Sequence, residues 1–140
     1  MSEIQTLSYT KQLTANRLHI YQLLFAISII IELLVGLWCI LDPVDFAHLV
    51  FQTEPHPEIW PRIWGASVLA LQFVYLPGVR NPLFYRWPNW CSISIKGLMT
   101  IIFLSAGFAF YPSGVWEFAW FIILLIAYYR LMLADIANNP

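Results

Sequence analysis

The sequence predicts an all-α polytopic membrane protein: an antiparallel bundle of four transmembrane helices, with a short interfacial helix in the first outer loop. Three observations predict it. Of 140 residues, 60% are hydrophobic and 11% are charged, and the mean hydropathy is +0.68. Soluble globular domains run at about 45–50% apolar and about 25% charged. Four apolar segments each have about the length that a bilayer core requires. The few charges and the tryptophans fall mostly near the ends of those segments. One domain, residues 1–140, is expected at this length. The composition argues against a disordered tail, a nucleic-acid module and an ordinary soluble enzyme. A net charge of −1 gives no bulk attraction to a charged partner.

The N-terminal stretch MSEIQTLSYT is polar and Ser/Thr-rich. It has no short apolar core followed by a small-residue cleavage site, so a tail over 1–19 is expected and no removable signal peptide. The first helix is expected over about 20–41, with Glu32 inside it. Asp42-Pro43 then reads as an N-cap followed by Pro at the first helical position, with Asp45 in the first turn. Phe46, Leu49, Val50 and Phe51 give this short helix one apolar face suited to a membrane surface. It cannot continue through Thr53–Glu58, because Pro55 and Pro57 lack the amide donors.

The second helix is expected over about 60–76, with Arg62 in its opening turn. The inner loop that follows is stiffened by Pro77, Pro82 and Pro88. The third helix is expected over about 92–111, with Lys96 near its start. The fourth is expected over about 115–134, with Arg130 near its end. Pro43, Pro61, Pro77 and Pro112 fall at segment edges, where a helix tolerates them.

Lys and Arg set the orientation. Lys11, Arg17, Arg80, Arg86, Lys96 and Arg130 fall on one side of this plan. The other side has Arg62 with Asp42, Asp45, Glu54, Glu58 and Glu117. Both termini are therefore expected in the cytoplasm, and a multi-pass protein of a bacterial inner membrane fits the bias. The seven tryptophans agree: Trp38, Trp60, Trp64, Trp116 and Trp120 sort to the outer side, Trp87 and Trp90 to the inner. Tyr21, Tyr75, Tyr85 and Tyr111 also fall near the interfaces, a depth where an aromatic ring has one apolar and one wet edge.

Glu32 is the most informative residue. At the helix rise it falls near the bilayer midplane, where a charge costs on the order of 3 kcal/mol, so an intramembrane carboxylate is a functional candidate. It reads as a proton- or cation-binding group, as one half of a structural pair with Arg62, Lys96 or Arg130, or as a protonated carboxyl sharing a hydrogen bond. Helical side chains tilt toward their own N-terminus, which favours Arg130 as the partner and Arg62 next. Lys96 and Arg62 both tilt toward an interface and can snorkel.

No catalytic constellation stands out, and no metal site or cofactor is expected. No histidine lies at mid-membrane depth, where a haem would need a pair. His48, Glu54, His56 and Glu58 in the outer loop match no metal-binding spacing. Cys39 and Cys91 are about 30 Å apart in depth by the helix rise, beyond disulfide reach. Ala66, Ala70, Gly97 and Ser105-Ala106-Gly107 suggest close helix packing, and Ser28, Ser67, Gln72 and Thr100 hydrogen bonds between helices.

The whole-chain plan resembles the DoxX-like group of small four-helix membrane proteins. The matching points are the length, the longer first outer loop and the R-x-x-G that opens the second helix, here Arg62-Ile63-Trp64-Gly65. The resemblance implies a subunit or accessory role; some members are membrane subunits of quinone-linked oxidoreductases. The chain is also similar to the small multidrug transporters in having four helices and a glutamate in the first. It departs from them in its strong charge bias and long outer loop. The leading expectation is therefore a non-catalytic subunit that associates with the lipid bilayer and with partner membrane proteins or further copies of itself, and with no nucleic acid. The alternatives are a proton-coupled transporter or ligand-binding bundle using Glu32, and a quinone-linked redox subunit.

Overall fold

No glycine or proline precedes Gly36, and the first helix runs unbroken. In this computed structural model α1 covers Glu3–Leu41, 39 residues. The structure describes the backbone over 3–50 and 56–138, with side chains from residue 11 onward in those ranges. The polar tail expected over 1–19 is thus helical from Glu3. Arg17 Nη1 donates to the Arg130 carbonyl at 2.8 Å, and Thr14 Oγ1 donates to the Ala134 carbonyl at 3.2 Å.

Helix α2, Pro43–Leu49, has the Asp42 N-cap and the leading proline that the sequence predicts. The Asp42 carboxylate accepts from the Asp45 amide at 3.0 Å, satisfying one of the orphan donors of the first turn. Pro43 and Ala47 are buried, and Phe46 packs edge-on to Trp38. Phe51, Glu54 and Pro55 lie outside the described residues.

Helix α3 covers Ile59–Arg80 and α4 covers Arg86–Ser105. Pro77 lies inside α3 rather than at its edge, and the helix runs one more turn to an Asn81 amide bonded to the Pro77 carbonyl. The third expected segment is displaced: α4 starts six residues before Ser92 and ends six before Tyr111. Pro88 lies in its first turn, where its missing N–H is harmless. It stops before Gly107, whose φ of 113° is left-handed and ends the helix. A 3-10 turn, Phe108–Phe110, leads into α5, Tyr111–Asn138.

The described residues contain no strand. Each long helix runs antiparallel to its neighbours. Gly36 on α1 meets Gly65 on α3, Gly78 on α3 meets Asn89 on α4, and Gly97 on α4 meets Phe121 on α5. One end of the molecule carries Arg17, Arg80, Arg86 and Arg130, with Asp135 paired to Arg86 at 3.5 Å. The other end carries Arg62, Glu58, Asp42 and Asp45.

The distribution of polarity departs from that of a soluble domain. Ser28, Gln72, Asn89, Ser92, Lys96 and Thr100 are buried, while Leu23, Ile30, Leu34, Phe73, Ile101 and Ile126 are exposed. Two helical stretches, Lys11–Leu41 and Phe108–Asn138, are long and apolar enough to cross a membrane. The core is a cluster of Tyr21, Phe25, Ile29, Tyr75, Ile93, Leu124, Tyr128 and Leu131. Tyr21 and Tyr75, expected at the interfaces, turn inward. The Tyr21 hydroxyl donates to Asn89 Oδ1 at 2.8 Å. The packing faces also differ from expectation. Ala66, Ala70 and Ser105 to Gly107 are exposed, and the close crossing of α1 and α3 is made by Gly36 and Gly65.

Candidate functional site

Each of the four long helices contributes one polar side chain to a single interior cluster: Glu32 from α1, Gln72 from α3, Lys96 from α4 and Glu117 from α5. Lys96 Nζ donates to Glu32 Oε1 and, at 3.4 Å, to Glu117 Oε2. Gln72 Nε2 donates to the Val68 carbonyl at 3.0 Å and lies 3.4 Å from Glu32 Oε2. The side chains of Lys96, Glu32 and Glu117 are 6%, 23% and 16% exposed. Charges so enclosed need partners, because desolvation costs several kcal/mol per ion. Lys96 has two carboxylates and Glu32 has two donors. With all three ionised, the cluster holds one negative charge in excess.

Arg130 is not the partner of Glu32. Its side chain is exposed on α5, 13 residues beyond Glu117, which is about 20 Å along the helix axis. Arg62 is not the partner either. Its guanidinium donates to the Ile40 carbonyl at 2.7 Å and to Glu58 at 3.0 Å, closing the C-terminal end of α1. Lys96 does not snorkel. With α4 starting at Arg86, Lys96 lies in the eleventh position of a 20-residue helix rather than near its end. Glu117, assigned to the outer loop side by sequence, is drawn inside for the same reason: α5 starts at Tyr111.

A readable signal for Glu117 exists. Gly107 follows Lys96 by eleven residues and precedes Glu117 by ten. In an antiparallel helical hairpin, residues equidistant from the turn share a depth. Opposite charges so placed are a pair in waiting. The signal is lost when the turn is read at Pro112–Gly114 instead of at Gly107.

The cluster borders a cavity of about 160 Å³, which Ser28, Ser92 and Tyr75 also line. That is room for a few water-sized groups, at about 30 Å³ each. Tyr75 is 5% exposed, and its hydroxyl has no hydrogen-bond partner among the described residues. Glu32, Trp64 and Glu117 are shared with a wider cleft of about 690 Å³ at the α2 end of the molecule. Trp38, Phe46, Trp60, Trp64 and Trp116 line this cleft. Lys96 is the only Lys or Arg lining either space among the described residues.

Among the described residues, no three of His, Cys, Asp and Glu gather as a metal-holding group. Glu54 lies outside them. Cys39 and Cys91 are free thiols. No family model, curated protein or solved structure matches this chain.

Proposed function

We propose that the chain is a multi-pass integral membrane protein, with α1, α3, α4 and α5 crossing the bilayer and both termini cytoplasmic, and that its interior binds a small molecule. The observation that carries the reading is the combination of an apolar exterior with a charged interior that opens into a cleft. A chain that only adheres to partners needs no enclosed Glu32–Lys96–Glu117 cluster. Such a cluster beside a cavity suits a chain that holds a ligand, because a polar group buried there gains from a partner brought in from outside. The basic end, with Arg17, Arg80, Arg86 and Arg130, supports a cytoplasmic placement of the termini, and a bacterial inner membrane fits that bias.

Single cysteines in a C39A/C91A background test the topology and the access through the cleft. In intact cells an impermeant thiol reagent reacts with Asp45→Cys in α2 and with Ser113→Cys in the cleft. Arg80→Cys reacts only after permeabilisation. Reaction of Arg80→Cys from outside overturns the topology. A Ser113→Cys that never reacts overturns the cleft as an approach to the site.

A second reading, the accessory subunit, draws on exposed Ala66 and Ala70 on α3, which suit close approach by a further helix. Crosslinking in the native membrane tests it, and a strictly monomeric species counts against it. The quinone-linked subunit rests on the resemblance alone.

A further inference from the structure

The cleft and the cavity differ in chemistry, and together they define a ligand. The cleft is walled by aromatic rings: Trp38, Phe46, Trp60, Trp64 and Trp116. Its floor is Glu32 and Glu117, the two carboxylates that also border the cavity. With both ionised, Lys96 offsets one of their two negative charges. Aromatic faces carry negative quadrupole charge and attract cations, most strongly where water is excluded. The rings and the floor therefore favour the same sign of charge. A cation supplies the second counter-charge that lets both carboxylates ionise, and a neutral guest or an anion does not. A hard cation such as Ca²⁺ or Mg²⁺ wants six or more oxygen ligands, and an aromatic-walled cleft does not supply them. Beyond the carboxylates, the Tyr75 hydroxyl borders the cavity with no hydrogen-bond partner among the described residues.

Resting on the binding-site reading above, we propose that the ligand is a hydrophobic organic cation. Its body, aromatic or aliphatic, lies between the tryptophans, and its ammonium lies beside Glu117 and Glu32. Glu117 is the residue that sets the charge preference. Neutralising it leaves Lys96 paired with Glu32 and removes the surplus.

The test uses the full chain in phosphatidylcholine nanodiscs, with empty nanodiscs as the partition control. Three probes of one shape are compared by equilibrium dialysis: naphthylethylammonium, naphthylethanol and naphthylpropionate. The ammonium binds saturably, tighter than the alcohol by about tenfold or more, and the carboxylate does not bind. Glu117→Gln removes that preference. Trp116→Ala weakens the ammonium, while Trp87→Ala, at the other end of the chain's fold, leaves it unchanged. Should Glu117→Gln fail to fold, the three-probe comparison on the unaltered chain decides alone. If the alcohol or the carboxylate binds as tightly as the ammonium and Trp116→Ala weakens that binding, the cation inference is overturned and the binding-site reading stands. If none of the three binds above the empty nanodisc, both are overturned.

Discussion

Lys96 on α4 donates to Glu32 on α1, a charge pair between residues 64 positions apart in the chain. A pair so enclosed is a poor source of net stability, yet breaking it is expensive, because the charge left behind is uncompensated. Lys96→Met leaves two carboxylates facing one cavity and lowers stability by about 3 kcal/mol. Double-mutant cycles by thermal unfolding separate the partners. Glu32→Gln and Lys96→Met are coupled by about 0.5–3 kcal/mol, while Glu32→Gln and Arg130→Gln add within about 0.5 kcal/mol. Coupling to Arg130 in place of Lys96 sinks the assignment.

The crossing of α1 and α3 leaves no space at Gly65. A β-carbon there meets the Gly36 carbonyl oxygen at 2.5 Å and the Cys39 β-carbon at 3.0 Å. The obstacle is backbone, which no rotamer change relieves. Gly65→Ala therefore destabilises by about 1–3 kcal/mol. Ala66→Leu, one position along and exposed, stays within about 0.5 kcal/mol. Equal melting temperatures for the two variants rule out the close crossing.

At Gly107 the constraint is conformational and not steric. Nothing lies within 4 Å of an added β-carbon, but φ is 113°. Gly107→Ala carries strain of about 1–3 kcal/mol from the backbone alone. Because this residue sets the depth of Lys96 against Glu117, hydrogen exchange at the α4–α5 connection should rise along with the loss of stability. An unchanged exchange pattern argues against a left-handed Gly107.

Arg62 has two partners of unequal worth. Its bond to the Ile40 carbonyl is part-buried and satisfies one of the last carbonyls of α1. Its pair with Glu58 is exposed and separated by four residues on one helix. Arg62→Gln costs about 1–2 kcal/mol and Glu58→Ala under about 0.5 kcal/mol, measured by thermal unfolding. A Glu58→Ala effect as large as that of Arg62→Gln would show that the exposed pair carries the contribution.

Much of the fold is written in local signals. The apolar runs through Ile20, Leu71, Ile101 and Leu124 each lie in a long helix. The Asp42-Pro43 cap is visible in two residues, because capping is a contact between near neighbours. Helix ends are less legible. Pro77 and Pro88 are tolerated in the last and first turns, so a proline marks an end only to within a turn. Gly107 reads equally as a packing residue or as a left-handed stop.

Those small errors of boundary decide the reading of the charges. A helix shifted by six residues moves a side chain by about 9 Å along the axis, the difference between a lysine that reaches an interface and one that faces the interior. Composition and segment length are sums over the chain and survive such shifts, so the helical class and the excess of apolar residues could be read from residues alone. The convergence of Glu32, Gln72, Lys96 and Glu117 could not. It depends on the register of four helices, set by contacts such as Gly36 on Gly65 and by one left-handed turn at Gly107, and those link residues far apart in the chain.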